Sequence, residues 1–298
     1  MSKAQNGSAN TPAGQDLVLS VRNLTVDYAA HRTSFRAVDD VSFDVPRGST
    51  VAIVGESGCG KSTIAKAIVR LLTPTSGEIL LNSQDIARMP ARQLRPFRSK
   101  VQMVFQDPYG SLDPHLTAED IVAEPLVLRG IRSGRERRAE AAKLIDQVGL
   151  PVSALGRRPA EFSGGQRQRI GIARALAAKP ELLVCDEATS ALDVSVQAQV
   201  LELLADIQRH SGLTYLMISH NLGVVRESSS HVVVMSKGRI VEQGPTGEVL
   251  SRPKDPYTRA LRAAALDPLT MTGRKPRELV SRLNVMPQDG PIQMEEAS

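Results

Sequence analysis

The sequence predicts an α/β fold: a parallel sheet covered by helices, with a small antiparallel layer before it and a helical insertion inside it. Three observations carry that prediction. Short apolar runs recur at 51–54, 101–105 (interrupted by Gln102), 182–185, 215–218 and 232–235, the pattern of strands buried on both faces. The first run opens into a glycine-rich turn at 55–63, and a helical pattern follows from about 61 to 72. From 113 to 178 no strand is evident, which interrupts the alternation.

In chain order, residues 1–16 are polar, rich in Ser, Asn, Ala and Gly, and lack the apolar core of a signal peptide; a disordered N-terminal tail is expected. Residues 17–28 alternate loosely as a strand. Val41, Phe43 and Val45 alternate with Ser42 and Asp44, so three apolar side chains share one face, and 77–82 adds a third strand. These form the antiparallel layer. The polar stretch 29–37 reads as a surface loop. Within the strand-free stretch, Ala141, Leu144, Ile145 and Val148 recur at helical spacing in a helix at 135–148, so a helical subdomain at about 107–178 is expected. Residues 196–207 read as a helix between strands. Lys237-Gly238 marks a turn between short strands ending near Gln243, and 245–265 reads as a helix, a Pro-rich loop and a second helix. Beyond about 268 the chain is rich in Pro, Gln and Glu without periodicity, and a loosely ordered tail is expected.

A chain of 298 residues buries roughly three quarters of its unfolded surface and needs no disulfide or structural metal to hold a core. Its two cysteines, Cys59 and Cys185, lie within or beside the motifs below and read as small packing residues. No stretch of about 18 apolar residues occurs, so no membrane span and a cytoplasmic location are expected. The net charge of +5 is modest. Basic clusters at 88–100 and 129–138 read either as solvated helix faces or as surfaces for nucleic acid or anionic lipid, and the scarcity of aromatics for base stacking argues against nucleic acid.

Gly55-Glu56-Ser57-Gly58-Cys59-Gly60-Lys61-Ser62-Thr63 has the spacing of a phosphate-binding loop, in the strand-to-helix context that loop requires. Glycines let backbone N–H groups turn toward phosphate oxygens, and the helix start adds partial positive charge. Lys61 would neutralise the β- and γ-phosphates, and Ser62 would complete a Mg2+ shell. Leu182-Leu183-Val184-Cys185-Asp186-Glu187 is an apolar strand ending in two carboxylates. Asp186 would hold Mg2+ and Glu187 would act as general base on the attacking water. Gln106 closes the run 101–105, where its amide could contact Mg2+ or that water. His220 closes the strand 215–219, where it could donate to the γ-phosphate. Tyr28 reads either as a stacking platform for adenine or as a strand aromatic at the core edge. Ser163-Gly164-Gly165-Gln166 begins a helix and forms a second anion site. Within one chain that second site is redundant; across a two-fold axis each chain's Ser-Gly-Gly could close on the γ-phosphate held by the other.

This set resembles the ATP-binding subunits of ABC transporters, whose fold is a P-loop NTPase (RecA-like) core. The resemblance spans roughly 17–265: a Walker A loop at 55–63, a Q-loop at Gln106, the signature 163–166, a Walker B strand ending in Asp186-Glu187, a D-loop Ser190-Ala191-Leu192-Asp193 and a switch histidine, His220. Phe162 stands where the family usually has Leu, a packing change. Two further segments, Val104-Phe105-Gln106-Asp107-Pro108-Tyr109-Gly110-Ser111-Leu112-Asp113-Pro114 and Pro253-Lys254-Asp255-Pro256-Tyr257-Thr258-Arg259-Ala260-Leu261, are similar to the dipeptide, oligopeptide and nickel importer branch, whose ATPases carry a C-terminal extension. On that reading 17–244 is the ATP-binding domain and 245–267 the extension. Some members ligate an iron-sulfur cluster there through cysteines; this extension has none, so no cluster is expected.

The resemblance implies ATP and Mg2+ as cofactors, Asp193 as a nucleotide-site residue, and a second ATP-binding subunit, either a paralogue or the same chain, packed head to tail. It also implies two membrane permeases, an external solute-binding protein, and a peripheral position on the cytoplasmic face of the cell membrane. Peptides are the first expectation for the solute, with nickel or another small solute as the alternative. A soluble ABC ATPase acting on DNA or ribosomes would normally show a long coiled-coil insertion or two cassettes, and a P-loop kinase or GTPase would not need Ser163 to Gln166.

Overall fold

Alternation within each central strand decides how the molecule is layered. The structure, a computed structural model, describes residues 16–30, 33–107 and 109–266, so the tail beyond 268 and all of the N-terminal tail except Asp16 lie outside the described residues. Six strands form the main sheet: β3 (Thr50–Val54), β6 (Val101–Val104), β7 (Leu182–Asp186), β8 (Thr214–Ile218), β9 (His231–Ser236) and β10 (Arg239–Pro245). Their order is β10-β9-β3-β8-β7-β6, parallel throughout except for β10, which returns antiparallel beside β9. Val51 and Ile53 point into one core while Ala52 and Val54 point into another, and Leu182 and Val184 oppose Leu183 and Cys185 in the same way. Both faces are covered, which is why these strands read as unbroken apolar runs.

The first face carries the antiparallel layer: β1 (Leu17–Ala30), β2 (Thr33–Pro46), β4 (Ser76–Leu81) and β5 (Gln84–Asp85), in the order β2-β1-β4-β5. Val41, Phe43 and Val45 are all buried in the core between the two sheets, together with Ile64 and Ile68 of α1 (Lys61–Ile68). The stretch expected as a loop at 29–37 is instead largely strand. Tyr28 pairs across from Phe35, and the Arg36 guanidinium grips Asp27 at 2.8 Å, so the polar hairpin is joined by side chains on its exposed face. The helix at 61 stops at Ile68 rather than near 72. Arg70 turns left-handed at φ +56, and its guanidinium binds the carbonyls of Leu72 and Met89.

Two helices are not among the elements expected from the sequence. α2 (Ala91–Lys100) buries only Leu94 and contains Pro96, so it has no apolar stripe to read. α3 (Ala118–Leu128) follows a Thr117–Asp120 capping box, a local signal that was present in the sequence. With α4 (Gly134–Gln147) and α5 (Gly164–Ala177), α3 forms a helical insertion around Ile121, Leu126, Ile145, Ile170 and Phe162. The Arg157 guanidinium lies 4.5 Å over the Phe162 ring. α6 (Val194–Ser211) covers the β7–β8 side of the sheet through Val200, Leu204 and Ile207. On the opposite flank, α7 (Leu222–Ser228), α8 (Thr246–Ser251) and α9 (Pro256–Leu266) cover β3 and β9 through Val225, Val249, Tyr257 and Leu261. No helix among the described residues is long and apolar enough to cross a membrane.

Candidate active site

Sheet order converts distant sequence into one site. β3, β8, β7 and β6 are neighbours and parallel, so their carboxyl ends lie along one edge and deliver Gly55, His220, Glu187 and Gln106 side by side.

The loop after β3 is built for close approach. Gly55, Gly58 and Gly60 adopt φ of +152°, +80° and +108°. A Cβ on Gly55 would collide with the Met235 carbonyl and one on Gly60 with the Ala37 carbonyl, whereas Gly58 faces open space. Gly60 leaves α1 without a side-chain cap, and no acidic residue occupies the first turn, so its leading N–H groups remain available to an anion. Lys61 is only 4 % exposed, and its Nζ donates to the carbonyls of Gly55 at 2.9 Å and Glu56 at 2.8 Å. A buried ammonium within a ring of backbone amides fits a phosphate group. Tyr28 reaches the same loop, its hydroxyl 3.3 Å from Thr63 Oγ1, and remains partly exposed.

Ser62 Oγ donates to Asp186 Oδ1 at 3.0 Å. Burial holds the Asp186 carboxyl above the usual range, and the Ser62 hydrogen bond works against that shift. One hydroxyl and one carboxylate suit Mg2+, which takes few protein ligands and shares the rest with water and phosphate.

Glu187 occupies the left-handed region at φ +47°, held there by its N–H donating to the Ile218 carbonyl at 3.0 Å. That turn aims the carboxylate back across the strand ends. Oε2 accepts from Gln106 Nε2 at 3.1 Å and lies 3.3 Å from His220 Nδ1. A carboxylate held on one oxygen by an amide and an imidazole, with His220 itself 60 % exposed, can present its other oxygen to a water. Cys59 and Cys185 are buried free thiols whose pKa burial pushes up, Cys185 to about 12; both are inert packing groups.

Ser163 to Gln166 and Asp193 form a second group. Ser163 Oγ accepts from the Gln166 N–H at 3.3 Å while its own N–H donates to Gln166 Oε1 at 3.0 Å, a reciprocal cap on α5. Asp193 caps α6 by accepting from the Val196 N–H at 3.0 Å, and a Cβ on Gly165 would strike Val196. Gly165 therefore lets the start of α5 pack against the 192–196 turn.

Sequence reasoning missed the side chains that fasten the Gln106 segment to α5. The Arg167 guanidinium stacks 3.8 Å over the Tyr109 ring, Gln168 Nε2 donates to the Phe105 carbonyl at 3.4 Å, and Arg174 Nη1 donates to the Ser111 carbonyl at 2.8 Å. It missed Tyr257 as well, whose hydroxyl accepts from the Glu56 N–H at 3.0 Å. The Pro-Tyr-Thr segment was visible, but nothing in it signals contact with a loop about 200 residues away.

Residues 38–190 match the family model described as ABC transporter. The chain is 50 % identical over 257 residues to a probable peptide ABC transporter ATP-binding protein of Sinorhizobium fredii, covering 84 % of this chain and 73 % of the relative. It is 46 % identical over 249 residues to the oligopeptide transport ATP-binding protein OppF of Bacillus subtilis, covering 83 % and 82 %. Among solved structures it is similar to a dimeric ATP-binding cassette in a post-hydrolysis state bound to ADP and Pi, at a TM-score of 0.71 and 31 % identity, covering 76 % of this chain and 98 % of that one.

Proposed function

The chain belongs to the ABC transporter family, and from that premise we propose that it is the ATP-hydrolysing subunit of a peptide importer. Support for the peptide comes from the relatives, named for peptide and oligopeptide transport at 46–50 % identity. Two such subunits would pack head to tail around ATP on the cytoplasmic face of the membrane, beside two permeases and with an external solute-binding protein.

ATP would supply the phosphoanhydride that is cleaved, and Ser62, Asp186 and Gln106 would hold Mg2+, whose positive charge would offset the charge of the phosphates. Lys61 and the amides of 55–63 bind and orient the phosphates, with Tyr28 beside the loop for the adenine. Glu187 takes a proton from the attacking water on the carboxylate oxygen that Gln106 and His220 leave open. His220 and Gln106 keep that carboxylate from swinging away. Ser163, Gly164, Gly165 and Gln166, with Asp193, would present the start of α5 to the nucleotide of the opposite subunit, and closure would pass to the permeases through the Gln106 segment that Arg167, Gln168 and Arg174 fasten to α5.

The observation that carries the reading is Glu187: a strained, left-handed carboxylate at the end of a buried strand, gripped from two neighbouring strand ends. The test is Glu187→Gln. Nucleotide affinity should stay near the wild-type value, turnover should fall by about 10² to 10⁴-fold, and ATP should drive the chain, alone or with a companion ATPase, into a long-lived dimer. Wild-type turnover in this variant would remove Glu187 from the base role.

A further inference from the structure

Tyr257 approaches the phosphate loop from the C-terminal extension. It is the second residue of α9, and its ring is buried in the apolar cluster that α7, α8 and α9 make with Ala52, Val54, Val232 and Val234. The helix start is anchored: Asp255 Oδ1 accepts from the Tyr257 N–H at 2.7 Å, and the Glu242 carboxylate on β10 accepts from the N–H groups of Lys254 and Asp255 at 2.9 and 3.1 Å. Burial pushes the Tyr257 phenol up to about 12, so it stays a protonated hydroxyl at ordinary pH while its oxygen accepts from the Glu56 N–H.

One peptide unit links this tyrosine to Lys61. The N–H of Glu56 donates to Tyr257 Oη at 3.0 Å, and on the opposite side of that same peptide the Gly55 carbonyl accepts from Lys61 Nζ at 2.9 Å. Gly55 sits at φ +152° without a side chain, so no Cβ at 55 restrains the orientation of this peptide. A turned peptide would leave the Glu56 N–H without the tyrosine and point the carbonyl away from the Lys61 ammonium. The geometry points to Tyr257 as a positioning residue: by holding the N–H side of the 55–56 peptide it keeps the carbonyl side on Lys61, so the C-terminal extension presets the loop to receive a nucleotide phosphate. This inference rests on the nucleotide-binding reading of the loop.

The test is Tyr257→Phe in the full chain, which removes the acceptor and keeps the ring. In nucleotide-free protein, amide hydrogen exchange at Glu56 should accelerate several-fold while the amides of β3 and α9 keep their protection. Titration with a fluorescent ATP analogue should show affinity weakened by about two- to tenfold, the range of one neutral hydrogen bond, with turnover at saturating ATP near the wild-type value. Unchanged exchange at Glu56 would overturn the inference, as would acceleration spread evenly over β3 and α9, which would mean general loosening of the extension. If the wild-type chain bound no nucleotide, the reading of the loop would fail, while the exchange rates would still decide whether Tyr257 holds it.

Discussion

At the scale of single residues, the site depends on backbone conformations that side chains resist. Gly55, Gly58 and Gly60 all adopt positive φ, but their surroundings differ. Gly60→Ala would set a methyl group against the Ala37 carbonyl as well as forcing a left-handed conformation at φ +108°, and should destabilise the fold by about 1–3 kcal/mol in urea unfolding. Gly58→Ala meets nothing within 4 Å and should cost only the left-handed strain, about 1 kcal/mol. Equal losses would mean that packing against the Ala37 carbonyl does not hold the loop. The glycine spacing was legible in sequence because it is local. The left-handed Glu187 was not, because its strain is held by the Ile218 carbonyl of a neighbouring strand.

At the scale of elements, the antiparallel layer is fastened to the main sheet through the β2–β10 junction. The Asp39 N–H donates to the Gly238 carbonyl at 2.8 Å, and its carboxylate accepts from Arg239 Nε at 2.7 Å and Arg36 Nη1 at 3.2 Å. The hydrogen bond from Arg239, aided by Arg36 against the cost of burial, holds the Asp39 carboxyl below its usual range. A depressed folded-state pKa contributes stability that is present above the ordinary aspartate value and is lost as pH falls through the lower folded-state value. Melting curves should therefore show wild type more stable than Asp39→Asn at neutral pH, with the gap closing as the solution is acidified below the ordinary aspartate range and shrinking in high salt. A gap that stayed constant with pH would trace the effect to shape rather than charge. Helices with a continuous apolar stripe, such as α6, are legible in sequence, whereas α2, which buries only Leu94, is not.

At the scale of the whole molecule, the two groups of site residues occupy different parts of the fold. Lys61, Ser62, Asp186, Glu187, Gln106 and His220 share the carboxyl edge of the main sheet. Ser163 to Gln166 start the α5 helix of the insertion, against the 192–196 turn. If the second group completes the pocket of another subunit, ATPase turnover per chain should rise with protein concentration, or on addition of a companion ATPase, and Ser163→Arg should remove that rise while nucleotide binding to the free chain stays intact. Full turnover at high dilution would show that one chain suffices.

The α/β class, the glycine-rich turn at 55–63, the paired carboxylates 186–187 and the Ser-Gly-Gly helix start at 163–166 are legible in the sequence, because each is written in neighbouring residues or in the period of a single element. Three-dimensional packing alone sets β3, β8, β7 and β6 side by side, brings Gln106 and His220 to one oxygen of Glu187, and puts the Tyr257 hydroxyl on the Glu56 N–H. The reason is physical: strand order and helix docking are chosen by burial of apolar faces far apart in the chain, and such pairings leave no periodic or local trace in any one segment.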